Sequence, residues 1–277
     1  MTGTDTTDRE RSGATATPTR RLTIRVGRLA LAFSEPAGGG TVTYDPYNLK
    51  SGMSMAANLR EAVKARRFTP DTFCKVTALV DSPVLLVPND LFEEKERELL
   101  FYNAFPDTRG DIVMSNVLVS IGSVAVFAAG KDLCTVINDT FRHVTFIPVM
   151  APVWRYLYGR SFTGTDKKLY AYFHDGKMEV FAFTRHRFKY SNAFDADNAR
   201  DALYFLLYVW KELELSQEHD SLYIAGSAPD ATKLTAELKK FIRKTYTINP
   251  AGDFNRAPVT QIKDMPYDLM TLYVKGR

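Results

Sequence analysis

Residues 168–246 constrain the fold more than any other stretch. They open with "KLYAYFHDGKMEVFAFT", two strand-like runs on either side of Asp175 and Gly176. Asp-Gly suits a two-residue hairpin loop, whose central positions both need positive φ. Residues 185–187, "RHR", predict a second turn, and "FKYSNAF" a third strand. A helix is expected over 197–215, apolar on more than one side through Ala199, Leu203, Leu206, Leu207, Trp210 and Leu213. Such a helix packs between a sheet and something else. "SLYIAG" reads as a buried strand ending at Gly226. Ala231, Leu234, Leu238, Phe241 and Thr245 then recur at helical spacing. Ser227 and Asp230 predict a capping box for this last helix, with Pro229 in its first turn.

The preceding part of the chain repeats that order. Residues 22–33 predict two strands joined by a turn at Gly27 and Arg28, and "TVTYD" a third strand. A helix follows over 51–66, with Met53, Ala56, Leu59 and Val63 available for a buried face. "FCKVTALV" and "PVLLVP" give strands. "NDLFEEKERELLFYNAF" predicts a helix that starts at Asp90 with Glu93, with Phe92, Leu99 and Tyr102 or Asn103 along one side. Residues 112–128 form a strand pair or one bent strand, broken at Gly122. A helix, a strand ("HVTFIP") and another helix ("APVWRYLYG") complete this half, and "MPYDLMTLYV" closes the chain as a strand or short helix. The polar segment 159–165 sets the expected boundary between halves 21–160 and 161–277. Residues 1–20, Thr-rich and without large apolar side chains after Met1, are expected to be a disordered tail.

Composition excludes some classes. Apolar residues make up 45% and aromatics 12%, enough for a buried core, yet no apolar run approaches the ~20 residues of a membrane span. The tail has no apolar signal segment. Two lone cysteines fit a reducing compartment, so a cytoplasmic location is expected. A net charge of +4 without clustering argues against nucleic acid as a partner. The basic, aromatic stretch 184–190 reads as a solvated hairpin tip. The four histidines show no metal-ligand spacing and read as solvated or stacked side chains, so no metal is expected.

Two β-β-β-α-β-α units in series suggest the duplicated ribonuclease-H-like architecture of actin-like ATPases: an α/β fold with mixed sheets and flanking helices. "LLVPNDLFEEKE" (85–96), "SNAF" (191–194), "DALYFLLYVWKELEL" (201–215), "LYIAG" (222–226) and "MPYDLMTLYV" (265–274) are more specific. With these blocks the chain resembles a family of uncharacterised Bacteroidetes proteins, a domain of unknown function with an actin-like ATPase fold. The resemblance runs from about residue 21 onward. It implies the fold and brings no established activity or functional residues with it.

Active members of that superfamily resemble a clamp on ATP. Each half offers a hairpin to the phosphates, and the first typically carries Asp-x-Gly. Backbone N–H groups must face phosphate, and acids must hold Mg²⁺. Here Gly27 and Arg28 stand at the first hairpin, but Arg25 replaces the acid. Asp175 and Gly176 form the second hairpin's turn. Gly226 and Ser227 match a strand end against adenosine. These six are the cofactor-binding candidates if a nucleotide site persists. No catalytic residue is assigned, since the acids are absent or displaced. The expected role is a non-catalytic assembly or regulatory scaffold with a protein partner. The alternative is a divergent ATP-binding ATPase or sugar-kinase-like enzyme.

Overall fold

A computed structural model describes residues 20–274; of the expected tail 1–20, all but Arg20, which opens the first strand, lies outside the described residues. In chain order the first half contains β1 (Arg20–Val26), β2 (Leu31–Pro36), β3 (Val42–Tyr47), α1 (Met55–Arg66), β4 (Phe73–Val80), β5 (Val84–Pro88), α2 (Arg97–Ala104), β6 (Ile112–Leu118), β7 (Ser123–Ala129), α3 (Lys131–Thr140), β8 (Val144–Pro148) and α4 (Met150–Arg160). There follow β9 (Lys168–His174), β10 (Lys177–Thr184), β11 (Arg187–Asp195), α5 (Ala199–Glu212), β12 (Ser221–Gly226), α6 (Ala231–Lys239), β13 (Lys244–Thr247), α7 (Pro250–Asp253) and α8 (Tyr267–Tyr273).

The two five-stranded sheets have the same topology. One runs β3-β2-β1-β4-β8 and the other β11-β10-β9-β12-β13. In each, a three-strand antiparallel meander is extended by two strands parallel to its first. The first half carries an insertion, the antiparallel sheet β5-β7-β6 with α2 against it. The duplication read from element order is therefore present, as are the mixed sheets.

Local chemistry sets the element ends. The Ser54 hydroxyl accepts from the Ala57 N–H at the start of α1, and the Asn198 side chain accepts from both Arg200 and Asp201 N–H at the start of α5. Asp175 and Gly176 both have positive φ, as their hairpin turn requires. Four expectations need correction. The helix predicted from Asp90 begins only at Arg97, after a single tight turn over 94–96; Glu93 is still extended, and the Asn89 N–H is bonded to the Gly122 carbonyl. Its buried residue is Phe101, whereas Leu99 is 63% exposed. Ser227 and Asp230 form no capping box: Asp230 is itself the N-cap, left-handed and without a side-chain cap. Finally, α6 stops at Lys239, and Thr245 lies in strand β13, four residues paired with β12 and too short to dominate the helical pattern around it.

Period-two alternation gives β1 two different faces. Leu22, Ile24 and Val26 join α1 and α3 in one core. Thr23 and Arg25 point the other way, toward α8. The second sheet likewise packs Leu169, Ala171 and Phe173 against α5 and α6. A third core lies between the sheets. It takes Leu79 from β4 and Tyr172 from β9, with α4 and α8 supplying Trp154, Leu157, Leu269 and Met270. The segment after β13 thus returns to the first half. α5 rests one side on its sheet, while Tyr204 and Tyr208 face solvent and stack on each other.

Leu269→Ala, at a fully buried position in this central core, is expected to cost roughly 2–5 kcal/mol of unfolding free energy. Leu99→Ala should stay within about 0.5 kcal/mol. Equilibrium denaturation of both variants checks the layering.

Candidate functional site

The cleft between the halves is built on a charged residue in an apolar strand. Arg25 follows Ile24 on β1 and is 2% exposed. Its Nε and Nη2 donate to both carboxylate oxygens of Asp268 on α8, at 2.8–3.1 Å, and Asp268 has no exposed surface. Nη2 also donates to Asp175 Oδ2 at 2.8 Å. The Tyr172 hydroxyl donates to Asp268 Oδ2 at 2.7 Å. One guanidinium therefore ties together β1, the β9–β10 hairpin and the last helix.

The charges are strongly coupled. Burial disfavours the Arg25 cation, but the adjacent Asp268 carboxylate outweighs it and raises the pKa well above its ordinary value. Burial and the Asp268 charge push the Tyr172 phenol far up. For Asp175 burial acts upward, yet the His174 hydrogen bond and the Arg25 charge win and hold it at about 2.

A second cluster adjoins the first. On β9 and β10 the register sets Tyr172 opposite Glu179 and His174 opposite Lys177, so all four share one face. His174 Nδ1 lies 3.3 Å from Asp175 Oδ2, and its ring stacks on Tyr172. Lys177 Nζ bridges Glu179 Oε1 at 2.9 Å and Asp81 Oδ1 at 2.5 Å. Asp81 comes from the first half, just after β4, where its N–H is bonded to the Val26 carbonyl. A cleft of about 530 Å³ opens beside Lys177, Glu179, Asp81 and Arg28.

Four of the six sequence candidates meet here. Gly27 turns β1 into β2, its N–H bonded to the Ala30 carbonyl. A Cβ on it would stand 2.5 Å from both Arg25 Nη1 and Asp175 Oδ2. Arg28 reaches across to Asp195 at 2.6 Å. Gly176 lies close to Leu29 and Asp197. The two hairpin tips thus touch each other. Gly226 and Ser227 sit at the end of β12 beside β9. Gly226 has φ +81°, a Cβ there would fall 2.1 Å from the Phe173 carbonyl oxygen, and the Ser227 N–H donates to that same oxygen. Close strand packing requires the glycine. The hairpin tip at 184–190 is tied down: Phe188 packs on Trp154 and Phe183, and Lys189 donates to the Leu213 carbonyl. His174 and His186 lie at opposite ends of β10 and do not approach one another.

Sequence reading identified Arg25 and Asp175 without pairing them, and missed Asp268, Asp81, Lys177 and Glu179. The signal was a lone charge inside an apolar run, "LTIRV" and "YDLMTLY". A fully buried charge is paired; which charge it pairs with is a matter of topology.

Arg25→Met leaves Asp268 and Asp175 without their cation and is expected to cost roughly 3–5 kcal/mol. Asp175 also imposes a pH dependence. Its folded pKa, about 2, lies below the unfolded value. Its contribution, on the order of 2 kcal/mol, is complete above about pH 4 and is lost as pH falls toward the folded value. Denaturation of wild type and Arg25→Met at several acidic pH values should show a shallower acid loss in the variant.

A family model described as "Protein of unknown function (DUF3822)" matches residues 13–245. No curated protein matches the chain. A Bacteroides thetaiotaomicron crystal structure, a protein with actin-like ATPase fold and unknown function, is 28% identical with a TM-score of 0.79, covering 92% of this chain and 100% of that one. The PilM-PilN type IV pilus biogenesis complex is similar in fold, with a TM-score of 0.51 at 14% identity over 93% of this chain and 98% of that one. Among the described residues, no helix is long and apolar enough to cross a membrane. The chain has an actin-like ATPase fold and belongs to the DUF3822 family.

Proposed function

We propose that this protein is a non-catalytic member of the actin-like fold class, an assembly or regulatory scaffold that acts by binding a protein partner. The observation that carries the reading is Arg25, buried between the two hairpins and bonded to Asp175 and Asp268. A Mg-nucleotide clamp needs backbone N–H groups open to phosphate and acids free to hold the metal. The residues present do not fit that group. A guanidinium already lies between the hairpins, and Asp175 and Asp268 are bound to it. The six residues 27, 28, 175, 176, 226 and 227 then serve to join the halves and to pack β12 on β9. The same fold in the PilM-PilN type IV pilus biogenesis complex supports a role in assembly by likeness of architecture.

The alternative, an ATPase or kinase-like enzyme, predicts a different response to nucleotide. Ligand at a hundredfold excess over its Kd stabilises a protein by about 2.7 kcal/mol, a Tm rise of roughly 5 °C at this chain length. Thermal unfolding in millimolar Mg-ATP is expected to shift Tm by less than about 1 °C, with no phosphate release above buffer. A shift of several degrees accompanied by turnover would establish the enzyme reading instead.

A further inference from the structure

The cluster of Asp81, His174 and Glu179 is a second feature of the cleft, separate from the Arg25 network's own bonds. One ligand-type atom from each of the three lies within 4.8 Å of the other two. All three side chains are nine-tenths or more buried. Among the described residues His174 Nε2 has no hydrogen-bond partner; it lies 3.9 Å from Glu179 Oε1, so it is aimed at the acids. Its other nitrogen, Nδ1, faces Asp175 Oδ2. In the tautomer that donates from Nδ1 to that carboxylate, Nε2 presents its lone pair toward the acids. That is the outer-shell arrangement of metal-binding histidines, and Arg25 in turn holds Asp175 in place.

We infer that Asp81, His174 and Glu179 form a site for a divalent transition metal such as Zn²⁺, which clasps the first half to the second. One imidazole and two carboxylates suit Zn²⁺, with water completing four-coordination. Metal–ligand bonds of 2.0–2.2 Å place donors roughly 3.4 Å apart, a contraction within reach of side-chain rotation. The Lys177 ammonium is the cation these acids hold in the metal-free protein. It lines the cleft of about 530 Å³, so it has room to swing away when Zn²⁺ takes its two carboxylates. The charge balance is kept: the ion brings +2 against two carboxylates, and the ammonium passes to solvent.

The test is Zn²⁺ titration of chelator-treated full-length protein by calorimetry, with Co²⁺ absorption as a reading of the ligand set. The expected result is one equivalent bound by wild type. Binding should be lost in His174→Ala and in Glu179→Gln, and tightened at least tenfold in Lys177→Met, where the competing cation is gone. Circular dichroism of each metal-free variant verifies folding; if His174→Ala fails to fold, Glu179→Gln carries the comparison. No binding by wild type, binding that survives loss of the histidine or the glutamate in a folded variant, or an affinity unchanged in Lys177→Met would each overturn the assignment. The outcome is independent of any response to ATP.

Discussion

A guanidinium buried to within 2% of full enclosure must be neutralised or the fold does not close. Arg25 meets that requirement with two carboxylates from distant parts of the chain, Asp268 on α8 and Asp175 at the β9–β10 turn. Both are reached only when the second half and the C-terminal helix are in place. The interaction is thus a checkpoint on the whole topology. A misregistered hairpin or an undocked α8 leaves at least one buried charge alone, which is costly in a low-dielectric interior.

The rest of the architecture serves that junction. Strand alternation turns Leu22, Ile24 and Val26 to the first half's core and Arg25 to the interface. The matching alternation on β9 turns Tyr172 and His174 to the same interface, while Leu169, Ala171 and Phe173 fill the second half's core. α4 and α8 occupy the space between, so the central core is shared by the halves. In such a frame the meeting point of the two hairpins is a contact between protein charges.

How much of this was legible in the sequence follows from the range of the interactions. Elements fixed locally were readable: the Asp175 and Gly176 turn, the β12 strand ending at Gly226, and the strand–helix order of each half. Elements fixed by neighbours were not. β13 is a strand because β12 offers it a parallel edge, although Thr245 falls on the helical repeat of α6. The Asp90 signal sits directly after Asn89, whose N–H is bonded to the Gly122 carbonyl of the β6–β7 turn, and the chain is still extended at Glu93. The site divides the same way. Arg25 stood out as a charge among apolar residues. Its partners lie 150 and 243 positions away, and no local pattern specifies such a pairing.

Arg25 and Asp175 act as one unit joining the halves. A double-mutant cycle measures it most directly: the unfolding free energies of Arg25→Met, Asp175→Asn and the double variant at neutral pH. Residues in one ion network show coupling of about 0.5–3 kcal/mol, and a value in the upper part of that range is predicted. Effects that add to within roughly 0.5 kcal/mol would mean that the two side chains stabilise the protein independently and do not join the halves as a unit.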